Sequence, residues 1–298
     1  MEIGFIGLGK MGLEMSSRAV QAGHRLVGYD NSPQARENAE GRGIPLADSL
    51  QALVGELSSP RVIWMQLPPG KITNQMIHNL GEMIAPGDLL IDGGNTDFRD
   101  TVRSGKKLKE KGIRFMDVGV SGGVEGAKNG CGMLIGGEEA DYRSMIPFFE
   151  SLAAPDAYSW CGGCGAGHYA KTIHNGVEYA IMQAYAEGYE MLTASEIDVD
   201  VLGVLHAYQN GCSIRSHILG QIIKALEPDV KLEGVEGFVA DSGMGRWTVE
   251  ESVRLRVPTP TITAALQQRF RSQQEDSPAM KCLAAARGVI GGHPVKHK

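Results

Sequence analysis

In the first half of the chain, short apolar runs alternate with stretches whose apolar residues recur every three to four positions. The runs Ile3–Gly7, Arg25–Asp30, Arg61–Leu67, Asp88–Asp92 and Arg114–Val118 predict strands. Between them, Met11–Ala22, Pro33–Glu40, Lys71–Ile84 and Phe98–Lys111 carry helical spacing. Strand and helix in alternation imply right-handed crossovers, hence an α/β domain with a doubly wound parallel sheet. Met133–Ile135 and Ala157–Trp160 are candidate edge strands. Past a glycine-rich bridge, Gly162–Gly167, the rhythm becomes purely helical. No proline and no strand punctuation interrupts His168–Ser195, and further helices are predicted near Val199–Gln209, Ser216–Leu226, Val249–Leu255 and Thr261–Gln273. The pattern predicts an α/β domain over 1–165 and an all-α domain over 166–298, without repeats or low-complexity segments.

Composition narrows the function classes. Lys and Arg number 29 against 35 Asp and Glu, a formal net charge of −6, so nothing marks a nucleic-acid or anionic-membrane partner. With 42% hydrophobic and 21% charged residues, the 298-residue chain can bury a sizeable core and is not of the disordered class. No apolar run reaches the roughly 18 residues of a membrane span. A strand pattern beginning at Glu2 and five scattered cysteines (131, 161, 164, 212, 282) lead to the expectation of a reduced, cytoplasmic protein. Cys161-Gly162-Gly163-Cys164 has no second pair at zinc-like spacing and reads as a turn with two ordinary thiols. Glycine is in excess, 40 residues, which marks either many tight turns or places where backbone meets a ligand.

The first strand runs into Gly7-Leu8-Gly9-Lys10-Met11-Gly12, a GxGxxG that opens a predicted helix and precedes Asp30 at the end of the second strand. That context points to a Rossmann-type dinucleotide site. Gly7 permits the turn, Gly9 lets backbone approach the diphosphate, and Gly12 lets helix and strand pack closely. The helix N-terminus favours the anion. Asp30 can accept hydrogen bonds from the adenosine ribose and would repel a 2′-phosphate. Arg36 partly offsets that repulsion, and the balance favours NAD over NADP. Leu67-Pro68-Pro69 would either wall the ribose or form a plain proline turn.

Three later glycine clusters, Asp92-Gly93-Gly94-Asn95, Val120-Ser121-Gly122-Gly123 and Gly126 to Gly132, fall after strands, at the sheet edge where such folds bind ligands. Asn95 and Ser121 would offer polar side chains there. On the long helix, Lys171, Asn175 and Glu178 lie within about 60° of one another at roughly 100° per residue, with His174 and Tyr179 flanking them. Spacing alone leaves open a catalytic stripe or an ordinary solvated face.

The run Lys171-Thr172-Ile173-His174-Asn175-Gly176-Val177-Glu178-Tyr179, with GLGKMG at 7–12, DGGN at 92–95, VSGG at 120–123 and GMGRWT at 243–248, resembles the decarboxylating 6-phosphogluconate dehydrogenases, in a short form lacking most of the second helical half. The resemblance implies oxidation of 6-phospho-D-gluconate to D-ribulose 5-phosphate and CO2 with NAD(P)+, without a metal. Lys171, its pKa lowered by burial, would take the C3 hydroxyl proton as hydride leaves, then hydrogen-bond the ketone. Glu178 would protonate C1 of the enediol, and Asn175 would assist. Asn95, Ser121, Gly122, Gly123, His174 and Asn175 match positions that hold the sugar acid. Tyr179 and Arg269 match phosphate contacts. Arg287 and His293 match a tail that enters a neighbouring subunit's site, which implies a homodimer or homotetramer. Ser242 and Met244 stand where longer members carry phosphate-binding Lys and Thr. Asp30-Asn31-Ser32 replaces the Asn-Arg-Thr of NADP-dependent members. Two other readings compete: a non-decarboxylating β-hydroxyacid dehydrogenase, and a catalytically silent NAD-binding regulator.

Overall fold

The computed structural model describes every residue except Ser242, Gly292, His297 and Lys298. The chain divides into two compact units, Met1–His174 and Asn175–Lys298.

The first unit is built on seven strands: β1 (Glu2–Ile6), β2 (Arg25–Tyr29), β3 (Val62–Met65), β4 (Leu89–Asp92), β5 (Arg114–Ser121), β6 (Cys131–Gly136) and β7 (Ala153–Gly162). Their order is β2-β1-β3-β4-β5-β6-β7. Because β2 and β3 lie on opposite sides of β1, the strand order reverses there, and the turn after β1 sits at a topological switch point. Side chains alternate across the sheet. Phe5, Trp64, Leu89, Ile91, Met116, Val118 and Val120 enter one core, which also takes Met15 of α1 (Lys10–Gln21) and Phe148 of α7 (Glu139–Leu152). Ile6, Ile63, Met65, Leu90 and Phe115 enter the other, with Leu53 of α3 (Leu50–Glu56), Ile77 of α4 (Lys71–Leu80) and Leu108 of α5 (Phe98–Glu110). A central parallel sheet covered on both faces explains why its strands read as continuous apolar runs.

One pairing departs from the expected parallel sheet. β6 runs antiparallel to β5, while β7 is parallel to β6. Only α6 (Gly123–Asn129) links β5 to β6, too short a segment for the crossover of a dozen or more residues that a parallel return requires. The third glycine cluster lies on this link, directly after the C-terminal end of β5. A Cβ on Gly130 would meet Ala154 backbone at 2.8 Å, so that residue serves close packing. Helix starts follow local chemistry. Ser32 caps α2 (Pro33–Glu40) through the Ala35 N–H with Pro33 in the first turn, and Asp97 caps α5 through the Arg99 N–H.

The long helix α8 (Ala166–Thr193) begins in the first unit and ends in the second. In the second unit, α9 (Val201–Gly211) and α10 (His217–Leu226) join Tyr185, Tyr189 and Leu192 of α8 around Val201, Leu205, Leu219 and Ile223. α11 (Met244–Leu255) and α12 (Pro260–Ser272) supply Val249, Ala265 and Leu266 around Tyr179. The terminal helix α13 (Pro278–Gly291), unmarked by the sequence pattern, buries none of its residues.

Candidate active site

The three fingerprint glycines take three distinct environments. Gly7 has φ +94°, and a Cβ there would meet the Gln66 carbonyl at 2.3 Å. A Cβ on Gly12 would fall 1.9 Å from the Gly7 carbonyl, so this glycine lets α1 press against the turn. Gly9, which caps α1 without any side-chain hydrogen bond, has nothing within 4 Å of its virtual Cβ. That open cradle at a helix N-terminus fits a dinucleotide diphosphate. Lys10 is exposed and Met11 half-buried, whereas Leu8 is buried in the core and gives its N–H to Asp30 Oδ2 at 2.7 Å. Leu8 is therefore an internal strut, and its N–H is already committed. The other Asp30 oxygen accepts the Ser32 N–H at 2.8 Å, so the carboxylate is fixed at the end of β2. Arg36 donates to the Ala47 carbonyl at 2.9 Å and to Asp48 at 3.0 Å. Its guanidinium is thus tied to the link between α2 and α3. Leu67 is half-buried, with its side chain beside Gly7.

After β4, buried Asp92 accepts the Gly94 N–H at 2.9 Å and the Thr96 hydroxyl at 2.7 Å. This shapes a loop in which Asn95 is held at φ 54°. Asn95 accepts the Val120 N–H at 3.0 Å and donates to the Val120 carbonyl at 3.2 Å. Its amide therefore ties this loop to β5, and each polar group keeps one further hydrogen-bonding direction. Gly122 is tight against Gly126, whereas Gly123 faces open space.

Lys171 is 5% exposed. Its stem lies over Gly119 of β5, where a Cβ would come within 2.3 Å of the Lys171 Cβ. Its Nζ is 3.2 Å from His174 Nδ1, and His174 Nε2 is 3.3 Å from the Ser121 hydroxyl. The two ring nitrogens of His174 thus bridge the Lys171 amine and the Ser121 hydroxyl. The first unit thus brings Asn95, Ser121, Lys171 and His174 to the C-terminal ends of β4 and β5.

The second unit carries the rest of the helix motif. Buried Asn175 meets the Met244 sulfur through its Nδ2, and Glu178 is half-buried. Tyr179 is buried, with its ring against Gly245, where a Cβ would lie 2.4 Å from a ring carbon. The Arg269 guanidinium stacks on that ring at 3.4 Å from its centroid and donates to the Ala240 carbonyl at 3.1 Å. Cation–π stacking of this kind fixes an arginine while leaving other donors for an anion. Arg287, on α13, and His293 are exposed. Ser242 lies outside the described residues.

Four residues that sequence reasoning passed over sit where the helix enters. Asp117, fully buried, accepts the Gly165 N–H at 2.6 Å and the His168 N–H at 2.8 Å. Burial pushes its carboxyl above the usual range. Thr101 hydrogen-bonds His168 Nδ1 at 2.8 Å, and Gly119 makes room for Lys171. One signal was present, because β5 alternates apolar Met116, Val118 and Val120 with Asp117, Gly119 and Ser121. The Cys164 sulfur lies over Gly105, and partial desolvation there pushes its thiol upward.

A model of the NAD binding domain of 6-phosphogluconate dehydrogenase matches residues 2–165, and a model of that enzyme's C-terminal domain matches 167–287. The chain is 36% identical over 300 residues to the NAD(+)-dependent, decarboxylating 6-phosphogluconate dehydrogenase of Haloferax volcanii, covering 100% of this chain and 99% of that one. Plasmodium falciparum 6-phosphogluconate dehydrogenase superposes with a TM-score of 0.81 at 24% identity, over 100% of this chain and 66% of that one. Mycobacterium tuberculosis 3-hydroxyisobutyrate dehydrogenase gives 0.71 at 24% identity, over 89% and 90%. These two likenesses establish the fold.

Proposed function

Because the chain belongs to the 6-phosphogluconate dehydrogenase family, we propose that it oxidatively decarboxylates 6-phospho-D-gluconate to D-ribulose 5-phosphate and CO2 with NAD+. The observation that carries this reading is the content of α8, on which buried Lys171, held by His174, is followed two turns later by Glu178 and then by the Tyr179–Arg269 stack.

Gly7, Gly9, Gly12 and the first turn of α1 would hold the diphosphate, with Asp30 at the ribose. When bound, the nicotinamide supplies the acceptor for the hydride leaving C3. Lys171 takes the C3 hydroxyl proton and becomes an ammonium. It then hydrogen-bonds the C3 ketone and returns a proton to that oxygen, while the electron pair of the breaking C1–C2 bond moves toward the carbonyl. The departing carboxylate becomes CO2, and Glu178 protonates C1 of the enediol. His174, hydrogen-bonded to Ser121, restrains the lysine amine. Asn175, Asn95, Ser121 and Gly123 orient the polyol chain. Tyr179 and Arg269 receive the phosphate. A charge-assisted hydrogen bond contributes about 1.5–3 kcal/mol, so the stacked arginine makes up for part of what Met244 removes.

The assembly is a homo-oligomer in this reading. α13 exposes Met280, Leu283, Val289 and Ile290, an apolar surface suited to a second copy, which would receive Arg287 and His293. A reading as a dehydrogenase of an unphosphorylated hydroxyacid is favoured by Met244, which stands where longer members carry a phosphate-binding Thr.

A kinetic panel tests the substrate and the cofactor together. 6-Phosphogluconate with NAD+ is expected to give a kcat/KM above that with NADP+, and above that of 3-hydroxyisobutyrate with NAD+. Asp30→Ala is expected to narrow the NAD+/NADP+ ratio by about tenfold, the loss of about one charge-assisted contact. A higher kcat/KM for the unphosphorylated acid, or an unchanged ratio in Asp30→Ala, would overturn the corresponding assignment.

A further inference from the structure

One face of β5 addresses the first three turns of α8 in order. Asp117, Gly119 and Ser121 project to the side opposite Met116, Val118 and Val120, as the two-residue strand period requires. Asp117 accepts the Gly165 and His168 N–H groups, Gly119 receives the Lys171 stem, and Ser121 meets His174. The helix rises about 5.4 Å per turn and alternate strand residues about 6.6 Å, so the two ladders stay in step over this distance.

We infer that Asp117 is a positioning residue, which caps α8 from the neighbouring strand and thereby sets where Lys171 stands over Gly119. The start of a helix leaves N–H groups without intrahelical partners, and Gly165, the residue before α8, has no side chain to serve them. Asp117 accepts from one N–H before the helix and one within its first turn. The entry has little slack elsewhere. A Cβ on Gly167 would meet the Leu134 carbonyl at 2.5 Å and the Asp117 carbonyl at 2.6 Å, so helix and sheet backbones are in direct contact. Thr101 holds the His168 ring, and the Phe98 ring meets Tyr169 edge-on at 5.0 Å. With the helix pinned on two sides, the carboxylate determines how far it slides along β5, and Lys171 moves with it.

The inference rests on Lys171 being the base of the proposed reaction. Asn at 117 retains one acceptor but turns an NH2 toward the second backbone N–H, so half of the cap is lost. Asp117→Asn is therefore expected to lower kcat about tenfold to a hundredfold, in the range that a displacement of about 1 Å produces. KM for 6-phosphogluconate and the Kd for NAD+ should stay within about twofold. Asp117→Ala should lower kcat further. Gly119→Ala, which keeps the cap but crowds the lysine stem, should reproduce the kcat loss with NAD+ binding intact. Melting curves identify which variants are folded, and Asp117→Asn and Gly119→Ala serve if the alanine variant at 117 is not. A folded Asp117→Asn enzyme with wild-type kcat would overturn the inference, as would a loss of kcat matched by an equal loss of NAD+ affinity. If the unmodified protein does not turn over 6-phosphogluconate, or if Lys171→Met remains active, the assignment of the base fails instead.

Discussion

Lys171→Met is expected to lower kcat for 6-phosphogluconate by at least about a thousandfold while leaving NAD+ affinity unchanged. General acid–base groups contribute about 10²–10⁴-fold, and three decades correspond to about 4 kcal/mol of transition-state stabilisation. Two steps depend on this one amine, removal of the C3 hydroxyl proton and donation to the ketone oxygen, so neither can be rescued by the other. The fold should tolerate the change. The lysine stem already lies against Gly119, and a thioether of similar length suits a buried site. Dinucleotide titration and steady-state kinetics on the same preparation check both halves. Activity within tenfold of the unmodified enzyme would remove Lys171 from its role.

The second large effect is a contrast between two glycines three residues apart. Gly12→Ala places a methyl 1.9 Å from the Gly7 carbonyl, a clash with backbone that no rotamer relieves. It is expected to destabilise the first unit by about 3 kcal/mol, a fall of roughly 6–12 °C in Tm, and to abolish dinucleotide binding with the distorted turn. Gly9→Ala meets nothing within 4 Å, so it should cost at most about 1 kcal/mol from the weakened helix cap. Its methyl nevertheless enters the space assigned to the diphosphate, and NAD+ affinity should fall at least about tenfold, or 1.4 kcal/mol. Calorimetry with and without NAD+ separates the two. Equal effects of both substitutions on Tm, or normal NAD+ binding by Gly9→Ala, would contradict this division of labour.

Much of this site was legible in the sequence, and what was missed has identifiable causes. The turn at 7–12 and Asp30 announced themselves because a dinucleotide site needs residues at fixed short spacing, and helical periodicity gave α8 almost to its ends. Burial on that helix is spread wider than the Lys171, Asn175 and Glu178 stripe. Lys171, Thr172, Asn175, Gly176 and Tyr179 are buried and Glu178 is half-buried, because what packs against a helix is set by its neighbours. α6 was hidden by its glycines, and α7 by Pro147 in its interior. α11 begins at Met244, ahead of the predicted Val249, because Asp241 accepts the Gly243 N–H and starts a helix that Gly245 disfavours. α13 shows no inward-facing stripe, and it buries nothing within its own chain. Asp117 escaped notice for a different reason. Its partners are backbone N–H groups of Gly165 and His168, distant in sequence, and a capping contact across that distance leaves no local spacing to read.

The measurement that bears most directly on the proposed reaction is the stoichiometry of CO2 to reduced cofactor. Purified protein given 6-phosphogluconate and NAD+ should release one CO2 for each NADH formed, with the rates of both falling together in Lys171→Met. NADH formed without CO2 would contradict oxidative decarboxylation and identify the chain as a simple hydroxyacid dehydrogenase.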